Sequence, residues 1–214
     1  MIFQNFYINT AVILVISYLI GSFPSAYIAG RIKGIDIRKK GSRNVGGMNA
    51  ISNTGKFLGI TVIIFDIAKG ALSAYLATRF SDHIFIPLLA VVFAVIGHNW
   101  MIYIGFSGGK GVSTFLGGLL YLSPLSFLFL YLIFIPVALF TLKDSYLSTA
   151  LGYFSFSFFL MIYEGNIWWF IFGVLITIIY IIKSFGLLKT YYTENRKDVS
   201  PLMKKIFKPF FKGM

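Results

Sequence analysis

Apolar positions along this chain come in long unbroken stretches, not in the alternating or one-faced patterns of a soluble domain. Seven stretches, near 9–30, 57–79, 84–104, 112–123, 125–142, 147–163 and 166–183, predict membrane-crossing helices, most near the roughly twenty residues that one crossing takes. The fourth and fifth belong to one apolar run from Val112 to Thr141, too long for one straight crossing. Ser123-Pro124 lies inside it, and a proline there breaks the helix and allows a tight reversal, so the fourth span is expected to be short or tilted. The predicted fold is an all-α integral membrane protein, one domain over 1–214 with about seven helices; five or six crossings are the alternatives. The first apolar run leads into a basic loop with no small-residue cleavage site and is read as a retained span. The 201–212 segment places Leu202, Met203, Ile206 and Phe207 against Lys204, Lys205 and Lys208, as in a short interfacial helix on anionic lipid.

Composition agrees. Hydrophobic residues make up 57% of the chain and charged ones 12%, about half the charged share of a soluble protein, so lipid is the expected solvent. The net charge of +12 favours anionic head groups or phosphorylated substrates as partners, and no nucleic acid is expected. The absence of cysteine excludes disulfides, thiolate metal sites, cysteine nucleophiles and lipidation through sulfur. Fifteen of the nineteen cations lie either between Arg31 and Lys56 or from Lys183 onward. The positive-inside rule then puts both regions in the cytoplasm and the N terminus outside. The expected location is the inner cell membrane, crossed many times, with the glycine-rich and basic segments gathered on the cytoplasmic face.

Two segments carry candidate chemistry. The first loop contains Gly41-Ser42-Arg43-Asn44-Val45-Gly46-Gly47-Met48-Asn49. Its glycines can expose consecutive N–H groups to an anion, while Ser42, Asn44 and Asn49 add neutral donors and Arg43 adds charge. The bland alternative is a flexible positive-inside loop. The second segment runs from Gly97-His98-Asn99-Trp100 to Gly108-Gly109-Lys110-Gly111. Glycines and a lysine opening a helix form a phosphate cradle from backbone donors, helix dipole and one ammonium. It is not a nucleotide P-loop: Ile104 stands where that pattern needs glycine, and Gly111 where it needs Ser or Thr. Lys110 alone would be an interface anchor. His98 is either a packed, hydrogen-bonded residue or a base. No second His, Cys or carboxylate stands at ligand spacing, so no metal is expected. Asp66 and Lys69 are three apart on one helical face. They are either functional intramembrane charges or a neutralising pair that orients the helix.

These residues, in this order and spacing, resemble the bacterial membrane acyl-phosphate:glycerol-3-phosphate acyltransferases (PlsY). The resemblance runs through Gly21-Ser22-Phe23-Pro24, Lys33-Gly34-Ile35-Asp36-Ile37-Arg38, the Gly41 to Gly46 loop, Asp66-x-x-Lys69-Gly70, Gly97-His98 and Phe106 to Val112. It implies a seven-helix enzyme that moves an acyl group from acyl phosphate to the 1-hydroxyl of glycerol 3-phosphate, releasing phosphate and giving lysophosphatidic acid, with no cofactor. It also implies Ser42 and Lys110 as catalytic groups, with His98 as a possible base. Arg43, Asn44, Asn49, Gly108, Gly109 and Gly111 are implied around the phosphates, and Asp66, Lys69 and Glu194 as supports. The chain departs from the family where Gly47-Met48 and Ser52 replace its Ala-Thr and Arg. It departs again where Ile182, Phe185 and Leu188 stand for its third-motif His, Asn and Arg; Thr193 and Glu194 remain. A paralogue with another phosphorylated acceptor, or with no activity, and a small polar-lipid or phosphate transporter are the competing readings.

Overall fold

The structure, a computed structural model, describes residues 6–142 and 145–193. The regular elements among them are helical: α1 (Phe6–Gly21), α2 (Ser25–Ile32), α3 (Gly47–Thr54), α4 (Lys56–Phe80), α5 (Phe85–Asn99), α6 (Val112–Leu122), α7 (Pro124–Phe129), α8 (Ile135–Leu142), α9 (Ser145–Tyr163) and α10 (Ile167–Thr193). A π-helical turn, Leu130–Phe134, joins α7 to α8. Five helical segments are long and apolar enough to cross a membrane: Phe6–Ile32, Lys56–Phe80, Pro124–Leu142, Tyr146–Tyr163 and Ile167–Gly186. α5 and α6 are apolar but shorter. The protein is an all-α, multi-pass integral membrane protein.

The expected span at 84–104 ends early, because α5 stops at Asn99. The chain then turns through Met101 and a 3-10 turn, Ile102–Ile104, in which Met101 and Ile104 are buried, so their hydropathy reports burial in protein and not a continued α-helix. The span at 9–30 is interrupted after Gly21 and resumes at Ser25; Pro24 cannot donate the hydrogen bond that a continuous helix needs there. The helix break expected at Ser123-Pro124 is present, with Ser123 capping α6 and α7 starting at Pro124. Glu194 and the interfacial segment expected at 201–212 lie outside the described residues.

The described residues fall into two compact units divided between Phe127 and Leu128. In the first, α4 packs against α3, α5 and α6, and α1 against α4 and α5. Membrane helices gain little by burying apolar surface from lipid, so close backbone contact over small residues does the work. Gly70 and Gly117 show this: a Cβ on Gly70 would overlap the Thr114 carbonyl, and one on Gly117 the Ile67 carbonyl. α4 and α6 therefore touch backbone to backbone. In the second unit α9 packs on α8 and α10, with Ser157 against Gly173 and Tyr153 edge-on to Tyr180 at 5.6 Å. Every candidate site residue that the structure describes lies in the first unit.

Candidate active site

Helix geometry places the charged pair deep. At about 1.5 Å per residue, Asp66 lies about 15 Å along α4 from Lys56 and about 20 Å from Arg79. α4 thus carries its ion pair near the middle of a bilayer-length helix. An isolated charge there is costly, and the fold pairs both groups fully. Lys69 Nζ donates to Asp66 Oδ1 at 2.8 Å, with side chains 5% and 1% exposed. It also donates to the carbonyls of Phe23 at 2.9 Å and Gly21 at 3.2 Å. Both carbonyls lie where the chain breaks between α1 and α2; Phe23 also accepts from Ser25 N–H at 3.1 Å, and for Gly21 the ammonium stands in for a missing helical donor. Ser25 Oγ donates to Asp66 Oδ1 at 2.7 Å.

His98, in the last turn of α5, closes this network. Its Nδ1 lies 3.3 Å from Lys69 Nζ and 3.6 Å from Asp66 Oδ1. The ring is buried, and its Nε2 edge lies under Gly109, where an added Cβ would overlap the ring and crowd the Val45 carbonyl. The imidazole thus joins the buried ion pair to the underside of the second glycine-rich segment.

The two glycine-rich segments meet. Val45 N–H donates to the Gly108 carbonyl at 3.4 Å, and Gly109 N–H donates to the His98 carbonyl at 3.0 Å. α3 starts two residues after Val45, and α6 starts just after Lys110 and Gly111, whose φ of 77° suits glycine. Two helices thus start shortly after this junction, α3 two residues past Val45 and α6 four residues past Gly108, each N terminus carrying a partial positive charge. Lys110 is half-buried beside them, as are Ser42 and Asn44, while Arg43 is exposed. Arg43 holds a left-handed φ of 59°, a conformation a non-glycine residue adopts at some cost. The buried Asn44 Oδ1 has no protein donor.

Asn49 is the hub of the first loop. Its Nδ2 faces the carbonyls of Asn44 at 3.0 Å, Lys40 at 3.1 Å and Ile37 at 3.3 Å. Its Oδ1 accepts from Ser42 N–H at 3.1 Å and Asn53 Nδ2 at 3.0 Å. Both ends of the carboxamide are thus spent on the chain itself. Asn49→Asp, nearly isosteric, turns a carboxylate oxygen toward three carbonyls. It is expected to lower stability by about 2–3 kcal/mol and to abolish most activity, measured by thermal unfolding and turnover together; Asn49→Asp with parent-like melting would contradict the hub.

A clamp that sequence reasoning passed over holds the two segments together from the side. Arg38 pairs with Asp36 at 2.7 Å, donates through Nη1 to the Ile104 carbonyl at 3.2 Å, and lies 4.9 Å over the Tyr27 ring. The guanidinium beside Asp36 holds its carboxyl down at about 2. A lowered carboxyl pKa stabilises the fold above about pH 4, and this contribution is lost as pH falls toward 2. The Asp-x-Arg spacing was visible, but its partner at Ile104 was not. Ser25 was likewise missed, as was Tyr18, whose hydroxyl donates to the Trp100 carbonyl at 2.8 Å.

Beside the network, an apolar groove of about 730 Å³ opens between α1 and α4, with Lys69 in its wall. No group of three or more potential metal ligands occurs among the described residues. Two glycine-rich segments, a buried polar network and an apolar groove thus lie in one unit.

The chain is similar to known proteins of one family. A glycerol-3-phosphate acyltransferase 2 of Moorella thermoacetica is 41% identical over 129 residues, 60% of this chain and 66% of that protein. A glycerol-3-phosphate acyltransferase of Geobacillus sp. is 47% identical over 128 residues (59% and 64%), and one of Chlorobium limicola is 44% identical over 135 (58% and 57%). The matched part thus spans between 57% and 66% of these curated relatives' length. The crystal structure of PlsY, an integral membrane glycerol 3-phosphate acyltransferase, in its glycerol 3-phosphate form superposes with a TM-score of 0.75. Its identity is 25%, over 92% of this chain and 98% of that one. The glycerol-3-phosphate acyltransferase family model matches residues 11–190, and the chain belongs to that family.

Proposed function

We propose that this protein transfers a fatty acyl group from acyl phosphate to the 1-hydroxyl of glycerol 3-phosphate, giving lysophosphatidic acid and inorganic phosphate for phospholipid synthesis. The observation that carries the reading is the Val45–Gly108 junction, which joins the two glycine-rich segments next to His98, whose neighbour Lys69 walls a groove that suits an acyl chain. An acyl phosphate is a mixed anhydride and needs no enzyme nucleophile. The site has to hold two phosphates, bring the hydroxyl to the carbonyl carbon, and stabilise the oxyanion that forms.

In this mechanism Lys110, Ser42 and the N–H groups of 108–111 hold phosphate, with Arg43 and Asn44 alongside. The acceptor oxygen attacks the acyl carbonyl carbon, the bond from that carbon to the phosphate oxygen breaks, and phosphate departs with the electron pair. The hydroxyl proton passes to the departing phosphate. His98, buried beneath Gly109, acts as a positioning residue for the cradle, and Asn49 shapes the loop that carries Ser42. Lys69 and Asp66 fix the α1–α2 break and the floor. The protein crosses the inner cell membrane seven times, α5 and α6 included, with the N terminus outside and the cradle opening to the cytoplasm.

The donor choice tests this reading. Purified protein in phospholipid vesicles is expected to use palmitoyl phosphate and not palmitoyl-CoA, because a thioester carries no phosphate on its reacting carbonyl. Comparable turnover with palmitoyl-CoA at matched concentration would overturn the mechanism.

A further inference from the structure

A second apolar groove, of about 190 Å³, lies along α4 next to the first. The larger groove is lined by Leu19, Ala68, Lys69 and Leu72 among others, the smaller by Ile28, Leu58 and Thr61 among others, and both are walled by Phe23 and Phe65. Leu58, Thr61, Phe65, Ala68 and Leu72 follow each other at spacings of three and four and so share one face of α4. Leu58 to Phe65 and Phe65 to Leu72 are each seven residues, about 10 Å of helix. The two grooves are therefore consecutive lengths of a single stripe, parted in the middle by the Phe23–Phe65 pair. Its ring centroids are 6.0 Å apart, tilted by 37°.

The divider is tied to the polar floor. Lys69, which donates to the Phe23 carbonyl at 2.9 Å, also lines the larger groove. Through His98 it is in contact with the underside of Gly109. The larger groove thus has Lys69 of this network in its wall and the smaller has Ser25, which donates to Asp66 at 2.7 Å, and the two rings wall both. Phe23 and Phe65 are 42% and 50% exposed, so neither is a core residue, and shortening either leaves no sealed cavity.

We propose that the Phe23–Phe65 pair is a specificity-determining partition for the acyl donor. It confines the fatty chain to the larger groove and denies it the smaller one. The proposal rests on the acyl-phosphate reading for the identity of the chain. The smaller groove would admit roughly eight further bonds of an extended chain at about 1.2 Å per bond, the projection along an extended backbone. Removing a ring gives the chain a second path, and with it a preference for longer chains.

Photolabelling tests this without turnover. Hexadecyl phosphate ending in a diazirine is bound to the protein in nanodiscs and irradiated, and labelled residues are located by peptide mass spectrometry. In the parent protein, label is expected on the larger groove at Leu19 and Leu72, and not at Leu58 or Thr61. In Phe65→Ala it is expected to appear at Leu58 and Thr61, and the ratio of kcat/KM for long over short acyl phosphates is expected to rise severalfold. Phe65→Trp keeps the wall and is expected to label as the parent does. Label at Leu58 and Thr61 in parent and Phe65→Ala alike would overturn the proposal. So would the same pattern from a phosphate-free diazirine alkane, which would mean bilayer lipid fills both grooves. Parent-type labelling without acyl transfer would instead refute the proposed function and leave the partition standing.

Discussion

Lys110→Ala is expected to lower kcat/KM for acyl transfer ten- to a hundredfold while leaving thermal unfolding close to that of the parent. A charge-assisted hydrogen bond contributes about 1.5–3 kcal/mol, and that loss in the transition state is roughly one to two orders of magnitude in rate. The fold should survive because the loop is held through its backbone, by Val45 to Gly108 and by Gly109 to the His98 carbonyl. Lys110→Arg is expected to recover only part of the activity. A planar guanidinium is bulkier and more directional than the point charge for which Gly108, Gly109 and Gly111 leave room. Lys33→Ala, an exposed cation at the end of α2, is the control for simple attraction to anionic lipid. Equal, near-normal activity in the two alanine variants would make Lys110 an interface anchor and remove the cradle.

The second large effect is on stability. Lys69→Met leaves Asp66, 1% exposed, with no ammonium beside it, strips the donor from the Gly21 carbonyl and leaves the Phe23 carbonyl only its bond from Ser25 N–H. Breaking a buried pair from one side typically costs about 3–5 kcal/mol, a fall in Tm on the order of 10 °C, read by thermal unfolding in detergent. Adding Asp66→Asn to Lys69→Met removes the stranded charge, so the double variant is expected to be more stable than Lys69→Met alone. A strictly additive pair would mean that Lys69 acts mainly on the α1–α2 break and not on Asp66.

The spans were legible wherever hydropathy and helix coincide, as along α4, whose expected 57–79 became Lys56–Phe80. They were misread where apolar residues are buried in protein without being helical. Trp100 to Ile104 are as apolar as a span, but they leave the α-helix for a short 3-10 turn in which Met101 and Ile104 pack inside while Ile102 and Tyr103 are exposed. Hydropathy reports the surroundings and not the backbone. The glycines of the two loop segments stood out because their spacing is itself a backbone signal. The role of Asn49 did not, because a carboxamide that binds phosphate and one that binds three carbonyls look alike in a sequence. Nor could spacing alone join Asp66 and Lys69 to His98, which comes from another helix, α5, packed against α4.

The central claim is that one site couples loss of phosphate from the donor to formation of an ester on the acceptor. The most direct measurement supplies purified protein in phospholipid vesicles with palmitoyl phosphate and radiolabelled glycerol 3-phosphate, and follows lysophosphatidic acid and inorganic phosphate in the same reaction. One phosphate released for each lysophosphatidic acid formed, with both rates falling together in Lys110→Ala, is the predicted result. Release of phosphate with no labelled lysophosphatidic acid would contradict it.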